Sequence, residues 1–138
     1  MTVSNFALQI DNASSEYQPG VCNIGPAEIA RRRRAGHVGL VATLGLLAVL
    51  IAIGAPPVTR LLVVLPAMIS ASGYLQAWLK FCAAFGSRGI FNFGTVGTSV
   101  TVAEAEARGM DRRRSRQISL SALAIGVVVG VVAALLPV

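Results

Sequence analysis

Three stretches of about 20 residues, nearly free of charge, constrain this chain more than any other feature. A bilayer core of roughly 30 Å is crossed by about 20 apolar residues in a helix, and only helices and closed barrels satisfy every backbone N–H and C=O there. The first stretch, Gly36 to Ala55, has polarity only at His37 and Thr43 and stops at Pro56-Pro57, where the missing N–H and the restricted preceding residue end a helix. The second, Val58 to Leu79, opens with Pro57 as a first-turn proline. So short a connection forces an antiparallel hairpin. The third, Gln117 to Leu136, is rich in valine, a strand former in water that is compatible with helix in lipid.

Composition points the same way, since 54% hydrophobic against 13% charged residues in 138, with a mean hydropathy of +0.69, is more than a water-soluble fold of this size can cover. Two cysteines exclude a disulfide scaffold, and one histidine cannot build a zinc site alone. The expected fold is an all-α membrane protein with three transmembrane helices at about 36–55, 58–79 and 117–136. Its parts would be a polar tail (1–25), a helical hairpin (26–92), a cytoplasmic linker with a short helix (93–116) and the third span (117–138).

Basic residues set the expected orientation. Eleven of twelve flank the spans on one side, and only Arg60 lies in the opposite hairpin turn. The positive-inside rule then puts the amino terminus and the 80–116 linker in the cytoplasm and the carboxyl end outside. Residues 1–20 have no basic n-region and no apolar h-region, so the first span is read as its own insertion signal. They read as an extended or poorly ordered tail, and the Asn12-Ala13-Ser14 sequon within them would not meet the glycosylation machinery.

From Gly25-Pro26 a helix is expected to run unbroken into the first span, with Glu28 near its positive dipole end and within reach of Arg32. Phe81, Phe85, Phe91 and Phe93, with Tyr74 and Trp78, suit the aromatic belt of a membrane interface. Glycine-rich coil follows, then a capping box, Thr101 with Glu104, opens the short helix, and Gly109 marks a bend before the third span. Gly94-x-x-Gly97-Thr98 lacks the lysine and the preceding strand of a phosphate loop.

The candidate site is chiefly one of packing. Ala122, Gly126, Gly130 and Ala134 repeat every four residues, and the second span offers Ala67, Ala71 and Gly73 with Ser70, Ser72 and Gln76. Small residues let helix backbones approach closely in lipid, where van der Waals contact drives association. Arg31, Arg32, Arg33 and Arg34 at the first span and Arg112, Arg113, Arg114 and Arg116 at the third are topology anchors or ligands for lipid headgroups. A pI near 10.7 permits nucleic acid, but both clusters abut spans and no nucleic-acid partner is expected. Cys22 and Cys82 fall on the same side as a candidate thiol pair, and His37, beside Gly36 and Gly39, is a candidate ligand for haem or a pigment macrocycle.

Asn23-x-Gly25, Glu28, Arg31 to Arg33, Gly36, Gly39, Gly73, Cys82, Gly86 and Gly89 together resemble the small two-helix domain that anchors bacterial membrane rhodaneses and occurs alone in short inner-membrane proteins. The resemblance covers residues 22–92, and the third span is additional. It implies a helical hairpin that tends to associate, without sulfur transfer, since no rhodanese domain is present. Eleven arginines against one lysine, with abundant alanine, glycine and valine, suit a bacterium with a GC-rich genome. The expected role is a non-catalytic, cofactor-free accessory or assembly subunit of the bacterial inner membrane, or a homo-oligomer, whose partners are lipids and other transmembrane helices. Thiol-redox chemistry at Cys22 and Cys82 and haem or pigment binding at His37 are the alternatives.

Overall fold

The computed structural model describes residues 16–138 and is mostly helical. The reading of residues 1–15 as tail, with its sequon, lies outside them. Helix α1 covers Pro26–Ala52, α2 Val64–Leu79, α3 Ala83–Arg88 and α4 Ala105–Leu135, and a 3-10 turn at Thr59–Val63 leads into α2. Strands β1 (Ile90–Phe91) and β2 (Val100–Thr101) pair antiparallel, Ile90 with Thr101 and Phe91 with Val100. Three helical stretches, Pro26–Ala52, Thr59–Leu79 and Ala105–Leu135, are long and apolar enough to cross a membrane. The second is the least apolar of them and the most buried, with mean hydropathy 1.4 against 2.1 and 2.6.

Two compact units share these elements: one of Met1–Arg31 with Gln76–Gln117, the other of Arg32–Leu75 with Ile118–Val138. The second unit is built on close backbone approach. A Cβ added at Gly39 would lie 2.6 Å from the Ser70 nitrogen, and one at Gly36 would lie 2.8 Å from the Tyr74 ring. Ser70 donates its hydroxyl to the Gly36 carbonyl at 2.9 Å and Thr43 to that of Gly39 at 2.7 Å. At the other end of the hairpin Leu50, Ala55, Val63 and Ala133 form an apolar cluster. Gly54 there takes a left-handed φ of +67°, turning the chain before Pro56. The hairpin therefore forms, but Pro57 does not open a helix. Its carbonyl accepts from Arg60 at 3.1 Å and the first ordered turn is 3-10, starting at Thr59.

The first unit departs further from expectation. Residues 17–22 form a tight turn, with Gly20 at φ +68° and Cys22 N–H bonded to Gln18 O at 3.0 Å. Its anchor is Asp111, which accepts from Gly20 N–H at 2.7 Å and from the Tyr17 hydroxyl. The capping box does not form, because Thr101 is committed to β2 and Val102 donates to Gly89 O at 2.7 Å. Helix begins only at Ala105, and it then passes through Gly109 without a break, so the expected short helix is the first part of a 31-residue α4. The linker's separate short helix is α3, capped by Gly89 at φ +71°. Phe81 and Phe91 are buried inside this unit and do not form a belt. Phe91 stacks on Tyr17 at 4.6 Å. Of the six aromatics grouped by the sequence, only Trp78 is exposed, at 79%.

Candidate functional site

The small-residue ridge of α4 is occupied within the chain. Ala122, Gly126 and Gly130 are buried and Ala134 is half-buried. A Cβ at Gly126 would meet Met68, and one at Gly130 would meet Val64. The small residues of α2 are buried as well, Ala67, Ser70, Ala71 and Gly73, of which Ser70 and Gly73 lie against Gly39 and Gly36 of α1 and not against the ridge. At Gly73 a Cβ would come within 2.5 Å of the Gly36 nitrogen and 2.7 Å of the Arg32 carbonyl oxygen. Gln76, also on α2, is used in the first unit. Its side-chain oxygen accepts the Ala83 N–H at 3.0 Å and its carbonyl the Phe81 N–H at 3.1 Å, so it joins the end of α2 to the start of α3 across a left-handed Lys80.

Arg60, the one basic residue at the hairpin turn, is 4% exposed and donates to the backbone oxygens of Leu136, at 2.9 Å, and Val138. The last carbonyls of a helix lack intrahelical donors and carry the negative end of its dipole, so a guanidinium there satisfies both. In a count of anchors Arg60 is the exception; in the structure it is the C-terminal cap of α4.

Among the anchor residues, Arg31, Arg33, Arg34, Arg112, Arg113 and Arg116 are exposed and Arg32 and Arg114 half-buried. Arg31 stands 4.0 Å from Glu28, and Arg114 donates to Gln117 at 3.4 Å. Glu28 is fully buried and also accepts from Asn92 at 3.3 Å.

The cysteines are free thiols. Cys82 is fully buried, and burial raises the pKa of the half-buried Cys22, partly offset by a backbone hydrogen bond with Ile24 and by the charge of Lys80. Both conditions lower thiolate reactivity. What joins their neighbourhoods is Asn23, whose side chain accepts the Cys82 N–H at 2.6 Å and donates to the Cys82 carbonyl at 3.1 Å. His37 is exposed, with Nδ1 2.6 Å from the Tyr74 hydroxyl and the two rings edge to face. Among the described residues no three His, Cys, Asp or Glu side chains converge as a metal would require.

Sequence reasoning missed the polar latches of the first unit. Asn92 holds its loop through Gly94 N–H at 2.9 Å, Thr98 Oγ1 at 2.8 Å and Thr95 O at 2.9 Å, while its backbone carbonyl takes Gly25 N–H at 2.8 Å. Asn92 N–H in turn donates to Asn23 O at 2.9 Å. Tyr17 completes the set, its pKa raised by burial and by the bond to Asp111. A signal was present, since Asn-Ile-Gly at 23–25 recurs as Asn-Phe-Gly at 92–94; the two segments meet through the bridge between Ile24 and Asn92.

Comparison with known proteins gives no match to a family model, a curated protein or a solved structure. The fold and its exposed faces define the class no further than a helical chain with three candidate membrane spans.

Proposed function

We propose that this chain is a non-catalytic multi-pass protein of a bacterial inner membrane that associates with other transmembrane helices, its own copies or those of other subunits. Its amino end lies in the cytoplasm and its carboxyl end outside. The supporting observation is an unused seam on α1. Val38, Val41, Gly45, Ala48 and Ala52 recur at alternating intervals of three and four, are all exposed, and lie opposite the buried Gly36, Gly39 and Thr43. A glycine inside a helix costs about 1 kcal/mol relative to alanine, yet a Cβ at Gly45 would meet nothing within 4 Å. Alternation of three and four is the spacing by which one helix seats on another, and small side chains let it come close.

The expected result is that Gly45→Leu moves the detergent-extracted protein to a smaller assembly in size-exclusion chromatography with light scattering. A size unchanged from wild type would remove the seam from the argument. Gly126→Leu does not serve for this, because its side chain strikes Met68 of the same chain before it reaches another.

The polar side chains support a structural role, because Asn23, Asn92, Asp111 and Arg60 are each engaged with backbone groups. The resemblance to the rhodanese-anchoring hairpin is part of the same reading. Its motif positions coincide with places of tight fit: Gly25 against Phe93, Gly36 against Gly73, Gly86 against Ser115 and Gly89 at positive φ.

Orientation is tested by thiol labelling. A membrane-impermeant maleimide is expected to leave intact cells unlabelled, to modify Cys22 in inverted membrane vesicles, and to reach Cys82 only after denaturation. Modification of Cys22 in intact cells would reverse the topology, and rapid native labelling of Cys82 would restore the thiol-pair alternative.

A further inference from the structure

Among the described residues, five guanidinium groups have no acidic partner: no carboxylate lies within 4.0 Å of Arg33, Arg34, Arg112, Arg113 or Arg116, and all five are exposed. Glu28 and Asp111, the nearest acids in sequence, are fully buried. Arg112, Arg113 and Arg116 fall on one arc of α4, turned away from its buried stripe of Asp111, Ser115 and Ile118.

Each helix then changes solvent abruptly. On α1 the exposed Arg34 is followed one turn later by Val38, 69% exposed, and on α4 Arg116 is followed by Leu120, 58% exposed. Four residues of helix are about 6 Å, so on each helix the guanidinia sit at the boundary between exposed charge and exposed hydrocarbon. Trp78, exposed beside Lys80 at the end of α2, has the amphipathic ring that settles at this boundary. A group at that depth meets the phosphates of lipid headgroups, and a guanidinium binds phosphate with two parallel hydrogen bonds.

From this juxtaposition on α4 we propose that Arg112, Arg113 and Arg116 form a binding surface for anionic phospholipid, selecting phosphatidylglycerol-type headgroups over zwitterionic ones. The proposal rests on the membrane reading above and adds lipid selectivity to it. Net headgroup charge decides the selection, because a choline or ethanolamine ammonium already neutralises its own phosphate. At low ionic strength the affinity difference is expected to fall about fivefold for each guanidinium removed.

The test uses the full chain in mild detergent. Its unfolding midpoint is measured with added phosphatidylglycerol, phosphatidylcholine, inorganic phosphate or glycerol phosphate, at low and high salt. Phosphatidylglycerol is expected to raise the midpoint beyond phosphatidylcholine, salt to shrink the difference, and the two small anions to leave it unchanged. The triple variant R112Q, R113Q and R116Q is expected to lose most of the difference, and the matching lysine variant, which keeps the charge and the inserted topology, to retain part of it. Equal effects of the two lipids, full selectivity in the glutamine variant, or reproduction of the effect by phosphate alone would each overturn the proposal. A protein that stays in membranes after alkaline washing but shows equal lipid effects fails this inference alone, whereas one released by the washing fails the membrane reading itself.

Discussion

Gly73→Leu is expected to destroy the pairing of α1 with α2, and Gly73→Ala to weaken it measurably. The added Cβ would stand 2.5 Å from the backbone nitrogen of Gly36 and 2.7 Å from the carbonyl oxygen of Arg32. Neither atom can rotate aside, so the helix axes must separate or the backbone must bend. Overpacking into a well-filled site costs about 1–3 kcal/mol even where side chains alone must yield. Separation would also lengthen the Ser70 bond to Gly36 O and the His37 bond to Tyr74, at present 2.9 and 2.6 Å. The measurement is the unfolding midpoint of detergent-solubilised protein, with Gly109→Leu as the control, since a Cβ there would meet nothing within 4 Å. That control adds the same side chain at an open position and is expected to leave the midpoint of the single chain within a few degrees of wild type. If Gly73→Ala unfolds with the wild-type midpoint, the close approach described here is not what holds the hairpin together.

The hairpin was legible because its signals are local. Proline marks its start and its turn, spans are recognised by length and absence of charge, and glycine and serine at intervals of three and four show which faces can meet. The first unit was not legible, because its ordering contacts join residues far apart in sequence, such as Asn23 to Cys82 and Tyr17 to Asp111. Local signals there lost to those contacts. Thr101 has the chemistry of a helix cap, but pairing with Ile90 takes its backbone first. Gly109 would weaken an isolated helix, yet Ala107 and Asp111 on either side of it are buried, and α4 runs through it without a break. The same distinction explains the small-residue ridge. Sequence identifies a face able to receive a helix but not which helix, and in the structure Val64 and Met68 of α2 stand against Gly126 and Gly130.

Asn23 is where the first unit depends most on one side chain. It is fully buried, and its amide accepts the Cys82 N–H and donates to the Cys82 carbonyl, the two bonds that a paired strand residue would supply. Its backbone adds two more, from Asn23 N–H to Lys80 O at 3.2 Å and from Asn92 N–H to Asn23 O at 2.9 Å. Asn23→Ala removes both amide bonds to the buried Cys82 backbone, whose carbonyl keeps only the Gly86 N–H at 2.9 Å of the two donors named here, and losing buried hydrogen bonds of this kind costs about 1–3 kcal/mol. Asn23→Asp keeps the acceptor for the Cys82 N–H but loses the donor and brings a buried charge, so it is expected to be no milder. The predicted outcome is local. In either variant Cys82 should react with maleimide at least tenfold faster than in wild type, an increase that corresponds to about 1.4 kcal/mol of lost protection, while the hairpin, whose contacts lie elsewhere, stays folded by circular dichroism. Should Cys82 remain as protected in Asn23→Ala as in wild type, the Asn23 latch would be incidental, and the burial of Cys82 would have to come from Phe81 and its apolar neighbours alone.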